Sequence, residues 1–286
     1  MCAARSDSGR KGDLQRIFLL GIDLEDVRSM IDGGDRYRER VPENTRRLLD
    51  FFSEIDARCT FFTVGDVARR YPELIREVAE RGHELACHSS DHTPLDRQDR
   101  ASFRRDLEQN LKDLERAGIR GVKGFRAPVL SLTGASPWAH DVLAELGFDY
   151  SSSVYPATSP MYGWPGFGDK PRRMASRVWE IPVSLSGIPG LDVPFTGGVY
   201  FRLLPFPIIR MLFERRLSRG DPVVGYLHPF DIDTKQERFM HPELGGNRLK
   251  NHLMYVNRRT VLSRLETLAA GGTRIIPYSD YVAQLP

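Results

Sequence analysis

Short apolar runs alternate with amphipathic segments along most of this chain, and no other property of the sequence constrains the fold as tightly. Ile17 to Asp23 reads as a buried strand, Cys59 to Val64 as a second with β-branched and aromatic residues, and His83 to Cys87 as a third. Val122 to Phe125, a segment opening at Phe148, Val178 to Val183, Val223 to Leu227 and a short Arg274 to Pro277 follow. Between them lie helical patterns: residues 44–57, Pro72 to Gly82, residues 100–117, Pro137 to Leu146 and roughly 249–269. Phe103, Leu107, Leu111 and Leu114 make the apolar stripe of the third of these. Pro72 near a first turn and Gly82 past an end bound the second. Repeated strand-then-helix units imply a parallel sheet with helices outside it. Seven or eight such units in 286 residues predict a closed or distorted barrel. The stretch from Tyr155 to Phe201 is rich in Pro, Gly and Ser and reads as long loops over one face, where function tends to reside.

The pattern gives the polar residues a meaning. Asp23, His88, Arg126 and His228 all stand at the C-terminal ends of predicted strands. In parallel β/α barrels that end carries the active site, so residues distant in sequence can meet there. His88 and His92 are four apart after an apolar run and offer two imidazole nitrogens to one metal ion. The acidic cluster Asp23-Leu24-Glu25-Asp26 can add a carboxylate. Two His and one carboxylate with open positions make a catalytic rather than a structural metal site, with zinc the default and other first-row divalent metals accepted. A second carboxylate can serve as general base, Arg126 can hold it charged and oriented, and His228 suits protonation of a leaving amine. Taken one at a time, each of these residues also has an ordinary explanation as a surface or strand-end polar group.

Composition narrows the classes. A formal charge of +3 is too mild to argue for nucleic acid, though it permits attraction to an anionic membrane or a phosphorylated substrate. Cys2, Cys59 and Cys87 show no CxxC spacing, which favours a reducing compartment over a disulfide framework; the latter two read as buried hydrophobes. The first dozen residues have no apolar core like that of a secretory signal, and no window approaches the ~18 apolar residues of a membrane span. A cytoplasmic enzyme is the default. Residues 1–14 read as a flexible N-terminus and 15–286 as one catalytic domain. Tyr200 to Arg216 mixes large apolar residues with four arginines, as in a core-facing helix or in an interfacial segment docked on a membrane.

Read in order, Ile22-Asp23-Leu24-Glu25-Asp26, His88 with His92, Phe125-Arg126-Ala127-Pro128, Asp149-Tyr150-Ser151-Ser152-Ser153-Val154-Tyr155-Pro156, the run Gly197 to Pro205 and Tyr226-Leu227-His228-Pro229-Phe230 form a set. It resembles the polysaccharide deacetylases, carbohydrate esterase family four, in the wording of a bacterial exopolysaccharide or surface-glycan branch. The resemblance covers roughly Ile17 to Phe230. It implies a distorted (β/α)7 barrel and a metal-dependent N-deacetylase of an acetylated amino sugar, whether free, nucleotide-linked or lipid-linked. Carried over, Asp23 is the general base, His88 and His92 are metal ligands, and Arg126 orients the base. His228 is then the general acid, and Asp149 tunes it. Pro128, Val129, Tyr155 and Tyr200 lie on the substrate side, with the Val129 N–H toward the oxyanion. Most of the family carries two adjacent aspartates in the first motif, whereas this chain has Asp23-Leu24-Glu25-Asp26. The metal carboxylate is therefore Glu25 or Asp26; a third arrangement makes Glu25 the base and Asp26 the ligand. The rivals are a C–N hydrolase of a cyclic or other non-glycan amide on the same fold, and a non-catalytic glycan-binding module.

Overall fold

The computed structural model describes residues 16–159, 161–188 and 192–286; the expectation of a flexible N-terminus falls outside these. Among the described residues nine strands run in chain order: β1 Ile17–Leu24, β2 Thr60–Thr63, β3 Glu84–Cys87, β4 Gly124–Phe125, β5 Tyr150–Ser151, β6 Arg172–Arg173, β7 Trp179–Glu180, β8 Val223–Leu227 and β9 Arg274–Ile275. Helices α1 Val41–Glu54, α2 Gly65–Arg70, α3 Pro72–Glu80, α4 Arg100–Arg116 and α5 Ala139–Glu145 connect the first strands. Helices α6 Gly198–Leu203, α7 Phe206–Leu217, α8 Arg248–Leu253, α9 Val261–Ala270 and α10 Tyr278–Val282 follow. No described helix is long and apolar enough to cross a membrane.

The sheet order is β6-β7-β5-β4-β3-β2-β1-β8, with β9 also on β1. All pairings are parallel except β6 with β7. The result is one α/β domain with a curled half-barrel sheet. Between β7 and β8 no strand among the described residues closes the wall; instead Ser184 N–H donates to Val224 O at 3.0 Å, and Val224 N–H donates to Ser184 Oγ at 2.8 Å. This is how the expected barrel becomes a distorted one.

Strand β1 shows the logic of the core. Every one of its residues is buried, because helices cover one face and the barrel interior the other. Phe18, Leu20, Ile22 and Leu24 pack outward with α1 residues Leu48, Leu49 and Phe52. Ile17 and Leu19 pack inward with Phe62, Ala86, Tyr150, Val224 and Tyr278. Each fully buried Phe or Leu stabilises the fold by about 1.5–3 kcal/mol. Because side chains alternate, Gly21 and Asp23 share the inward face with Leu19. Helix α4 starts where it does because Asp99 and Ser102 form a reciprocal cap: Ser102 N–H donates to Asp99 Oδ1 at 2.7 Å and Asp99 N–H to Ser102 Oγ at 2.9 Å.

Two expectations change. The helix read over 249–269 is two, α8 and α9, because Asn257 takes a left-handed φ of 57° and breaks the ladder. The arginine-rich stretch divides between α6 and α7: Arg202 and Arg216 are buried, while Ile208 and Met211 face outward beside exposed Arg210 and Arg215.

Candidate metal centre and active site

Glu25, His88 and His92 each offer one ligand atom, and the three atoms lie within 4.8 Å of one another. Glu25 follows β1, and His88 and His92 follow β3, so register across β1, β2 and β3 brings the loops together. His88 Nδ1–H donates to the Arg126 carbonyl at 2.8 Å, which leaves Nε2 facing the cluster. His92 Nε2 is 2.8 Å and His88 Nε2 3.9 Å from Glu25 Oε2. That oxygen is buried, and despite the short distance no hydrogen bond of ordinary geometry satisfies it. A buried, unsatisfied carboxylate oxygen facing two imidazoles is a donor set that fits a divalent cation. Burial disfavours the Glu25 anion, but the charge and close side-chain contact of His92, with the charges of His228 and His88, hold its carboxyl down to about 2. Burial pushes His88 down to about 4 against the pull of Asp23, so its imidazole is neutral and ready to bind near pH 7.

Asp26 departs from the ligand expectation. Its Oδ2 accepts from Arg28 Nη2 at 2.7 Å and Arg70 Nη1 at 3.1 Å, and its Oδ1 accepts from Arg28 N–H at 3.1 Å. The chain turns after Glu25, so Asp26 caps a short 3-10 helix, Val27–Met30, and faces away from the imidazoles.

Asp23 lies inside the barrel mouth. Arg126 Nη1 donates to its Oδ1 at 2.6 Å, and its Oδ2 is 4.0 Å from His228 Nε2. Arg126 is fully buried. It is held by Ser152 O at 3.0 Å, Ser152 Oγ at 3.1 Å and Tyr278 Oη at 2.8 Å, and lies over the Phe62 ring. A Cβ on Gly21 would sit 2.2 Å from Arg126 Nη1, so only glycine leaves room for the guanidinium. Coulombic attraction to Asp23 raises Arg126 further above its ordinary range, against burial.

His228 ends β8. Its ring Nδ1–H donates to Asp231 Oδ2 at 3.0 Å, and its backbone N–H donates to the same oxygen at 2.8 Å. Asp231 Oδ1 accepts from the buried Arg202 Nε at 3.0 Å. Burial opposes a charged His228, but Asp231, Glu25 and Asp23 together raise it to about 9. Asp231 and Arg202 were not singled out from the sequence; the only local signal was an acid three residues after the His, in His228-Pro229-Phe230-Asp231. Tyr278, which no motif marks, also escaped.

Asp149 is corrected. It precedes β5 and so stands at the opposite end of the barrel from His228; its neighbour is Lys123 Nζ at 3.9 Å. The acid beside His228 is Asp231 instead.

The turn after Arg126 is strained. Val129 and Leu130 have φ of 49° and 55°, and across from them Ser89 and His92 have 64° and 55°. Such conformations cost non-glycine residues about 1–3 kcal/mol each and persist only where the surroundings hold them. The Val129 N–H has no acceptor among the described residues. Val129 and His92 line a groove of about 770 Å³ that continues past Arg69, Arg97, Met161 and Tyr162. Pro128 is buried beneath this turn. Tyr155 donates its hydroxyl to Asp192 O and Tyr200 is partly exposed; neither lines the groove.

Residues 26–151 match the family described as polysaccharide deacetylase, and residues 152–275 match a domain of unknown function, DUF3473. A chitooligosaccharide deacetylase of Sinorhizobium fredii is 35% identical over 108 residues, 36% of this chain and 45% of that protein. The chain spans under half the length of such curated relatives. A Mycobacterium smegmatis protein described as a polysaccharide deacetylase shares the fold with TM-score 0.64 and 21% identity, covering 95% of this chain and 91% of that one. A Bacillus anthracis protein described as a family four pseudoenzyme does so with TM-score 0.53 and 10% identity, covering 94% and 66%.

Proposed function

We propose that this chain, whose residues 26–151 match the polysaccharide deacetylase family model and which is similar over about a third of its length to a chitooligosaccharide deacetylase, removes the acetyl group from an N-acetylated amino sugar with a divalent metal. The observation that carries the proposal is the unsatisfied Glu25 Oε2 between two imidazoles, next to an Asp23 anchored by Arg126 and a His228 anchored by Asp231. Glu25, His88 and His92 would hold the metal, with zinc the first choice; when bound it supplies Lewis-acid polarisation.

The chain's own residues carry the proton traffic. Asp23, pinned through Oδ1 by Arg126, presents Oδ2 to take a proton from the attacking water. The Val129 N–H, which finds no acceptor among the described residues, donates to the acetyl oxygen as negative charge develops there. Asp231 occupies His228 Nδ1, so Nε2 carries the proton that passes to the departing sugar amine as the C–N bond breaks. Acetate and a free amine result.

The relatives suggest a chitooligosaccharide-like substrate. The motif resemblance supports a reading in which the reaction serves surface-polysaccharide assembly, and the outward Ile208, Met211, Arg210 and Arg215 of α7 would suit contact with an anionic membrane. Acetate release from acetylated chitooligosaccharides should appear in the zinc-loaded protein and vanish after chelation. Because a pseudoenzyme shares the fold, zinc binding with no release from free, nucleotide-linked or lipid-linked acetylated sugars would favour a glycan-binding module. Cleavage of cyclic amides alone would favour the other rival. Liposome flotation with and without anionic lipid tests the membrane contact.

A further inference from the structure

Helix α4 carries, beside its apolar stripe, a second row at helical spacing: Asp106, Asn110 and Asp113. Asn110 and Asp113 are as buried as the leucines next to them. Burying such groups costs stability unless they find partners; apart from Gln109 and Arg116 of α4 itself, which donate to Asp113 Oδ1, the partners here belong to the loop between His88 and His92 or to β2 and α2 beside it. Asn110 Nδ2 donates to Ser89 O at 2.6 Å and to Thr63 O at 2.9 Å. Thr63 O also accepts the backbone N–H of His88 at 3.1 Å. Asp106 Oδ1 accepts Ser90 N–H at 3.0 Å. Asp113 Oδ2 accepts from Arg69 at 2.6 Å, and Arg69 continues to Ser90 Oγ at 3.2 Å and Asp91 Oδ1 at 3.1 Å. The row therefore grips Ser89-Ser90-Asp91, the whole span between His88 and His92. Two residues of that loop, Ser89 and His92, are left-handed without being glycine. A loop so strained holds its shape only if its backbone is tied from outside.

We propose that the polar row of α4, with Asn110 at its centre, consists of positioning residues that set the spacing of His88 and His92 and thereby the affinity of the metal centre. The proposal rests on the metal reading above. Asn110 is the pivot because one amide ties the end of β2, the main chain of His88 and the left-handed Ser89 together. Residues behind metal ligands typically change affinity by about 10–100-fold when removed.

The test is Zn2+ titration of the purified full chain and of Asn110→Ala, with thermal melts of the metal-free proteins alongside. The expected result is a Zn2+ Kd raised about 10–100-fold, with activity recovered at saturating Zn2+. Asp106→Ala should weaken binding less, and Asp106→Asn, which keeps an acceptor for Ser90 N–H, should restore it. If Asn110→Ala fails to fold, the Asp106 pair carries the same test. A lowered melting temperature with wild-type Kd in these variants would overturn the proposal, because α4 would then be only structural. A wild-type chain that binds no Zn2+ would overturn the metal reading itself, and this inference with it.

Discussion

The two sides of the candidate site are built on different plans. The metal side, Glu25 with His88 and His92, stands on β1 and β3, in the part of the sheet where strands are four to eight residues long and each is followed by a helix. His88 and His92 share one short loop, Glu25 joins them from the end of β1, and the loop is supported by α4, by the start of α2 and by the Arg126 carbonyl. The acid side, His228 with Asp231 and Arg202, stands at the open edge of the sheet, after β8, whose strand partner among the described residues is β1. There, order comes from buried ion pairs between distant segments: Arg202 reaches Asp231 and also the Val256 carbonyl at 2.7 Å. On the metal side, regular elements β2, α2 and α4 flank the loop closely enough for backbone and amide hydrogen bonds to share the placing with the charged Asp106 and Arg69. Where the ladder runs out, buried charge pairs do the placing, and they leave a marginal region if one partner is removed.

That contrast can be broken most directly at its strongest point. His88→Ala or His92→Ala should abolish bound metal and acetate release together, measured by metal analysis and product assay; full metal content in either variant would refute the ligand assignment. His228→Ala should keep the metal and lower kcat by about 10²–10⁴-fold, the range for a general acid. Loss of metal in that variant would mean the two sides are not separable.

A smaller effect is expected at Asp231. His228 is raised to about 9 chiefly by Asp231 working against burial, with Glu25 and Asp23 adding to it. The folded value lies above the ordinary one near 6.5. The charged imidazole therefore stabilises the fold fully below about 6.5, and that contribution is lost as pH rises through about 9. In the metal-free protein Asp231→Asn should move the His228 titration, followed by NMR, toward lower pH. Metal on Glu25 should move it the same way by cancelling part of the carboxylate's pull. Asp231→Asn also leaves Arg202 buried without its counterion, a loss of about 3–5 kcal/mol visible as a lower melting temperature. The smallest effect belongs to Asp149→Ala, which should leave stability within about ±0.5 kcal/mol and the His228 titration unmoved, since Asp149 is exposed at the far end of the barrel.

Much of the first plan was legible in the chain. Alternating apolar runs announce the strands, and a His pair four apart at a strand end announces a shared loop. The second plan was legible only in outline. His228 could be found by its strand, but Arg202 and Tyr278 are ordinary residues until the fold closes around them. Asp149 misled because a motif match ignores which end of a strand a residue occupies. Glu25 and Asp26 could not be separated from sequence, because the answer depends on one turn: Glu25 N–H bonds back to Asp23 O at 3.1 Å, and the chain then swings Asp26 onto Arg28.

What the sequence determined by itself was the order of the β/α units and the identity of residues at strand ends, since period and burial are local properties that each segment carries alone. What only the tertiary structure decided was which polar atoms face one another: Glu25 rather than Asp26 toward the imidazoles, Asp231 rather than Asp149 beside His228, and Asn110 against the His88 loop. Those choices depend on distances of a few ångströms between segments tens to hundreds of residues apart. They follow from sheet register and from the demand that buried polar groups find partners, which no single segment can express.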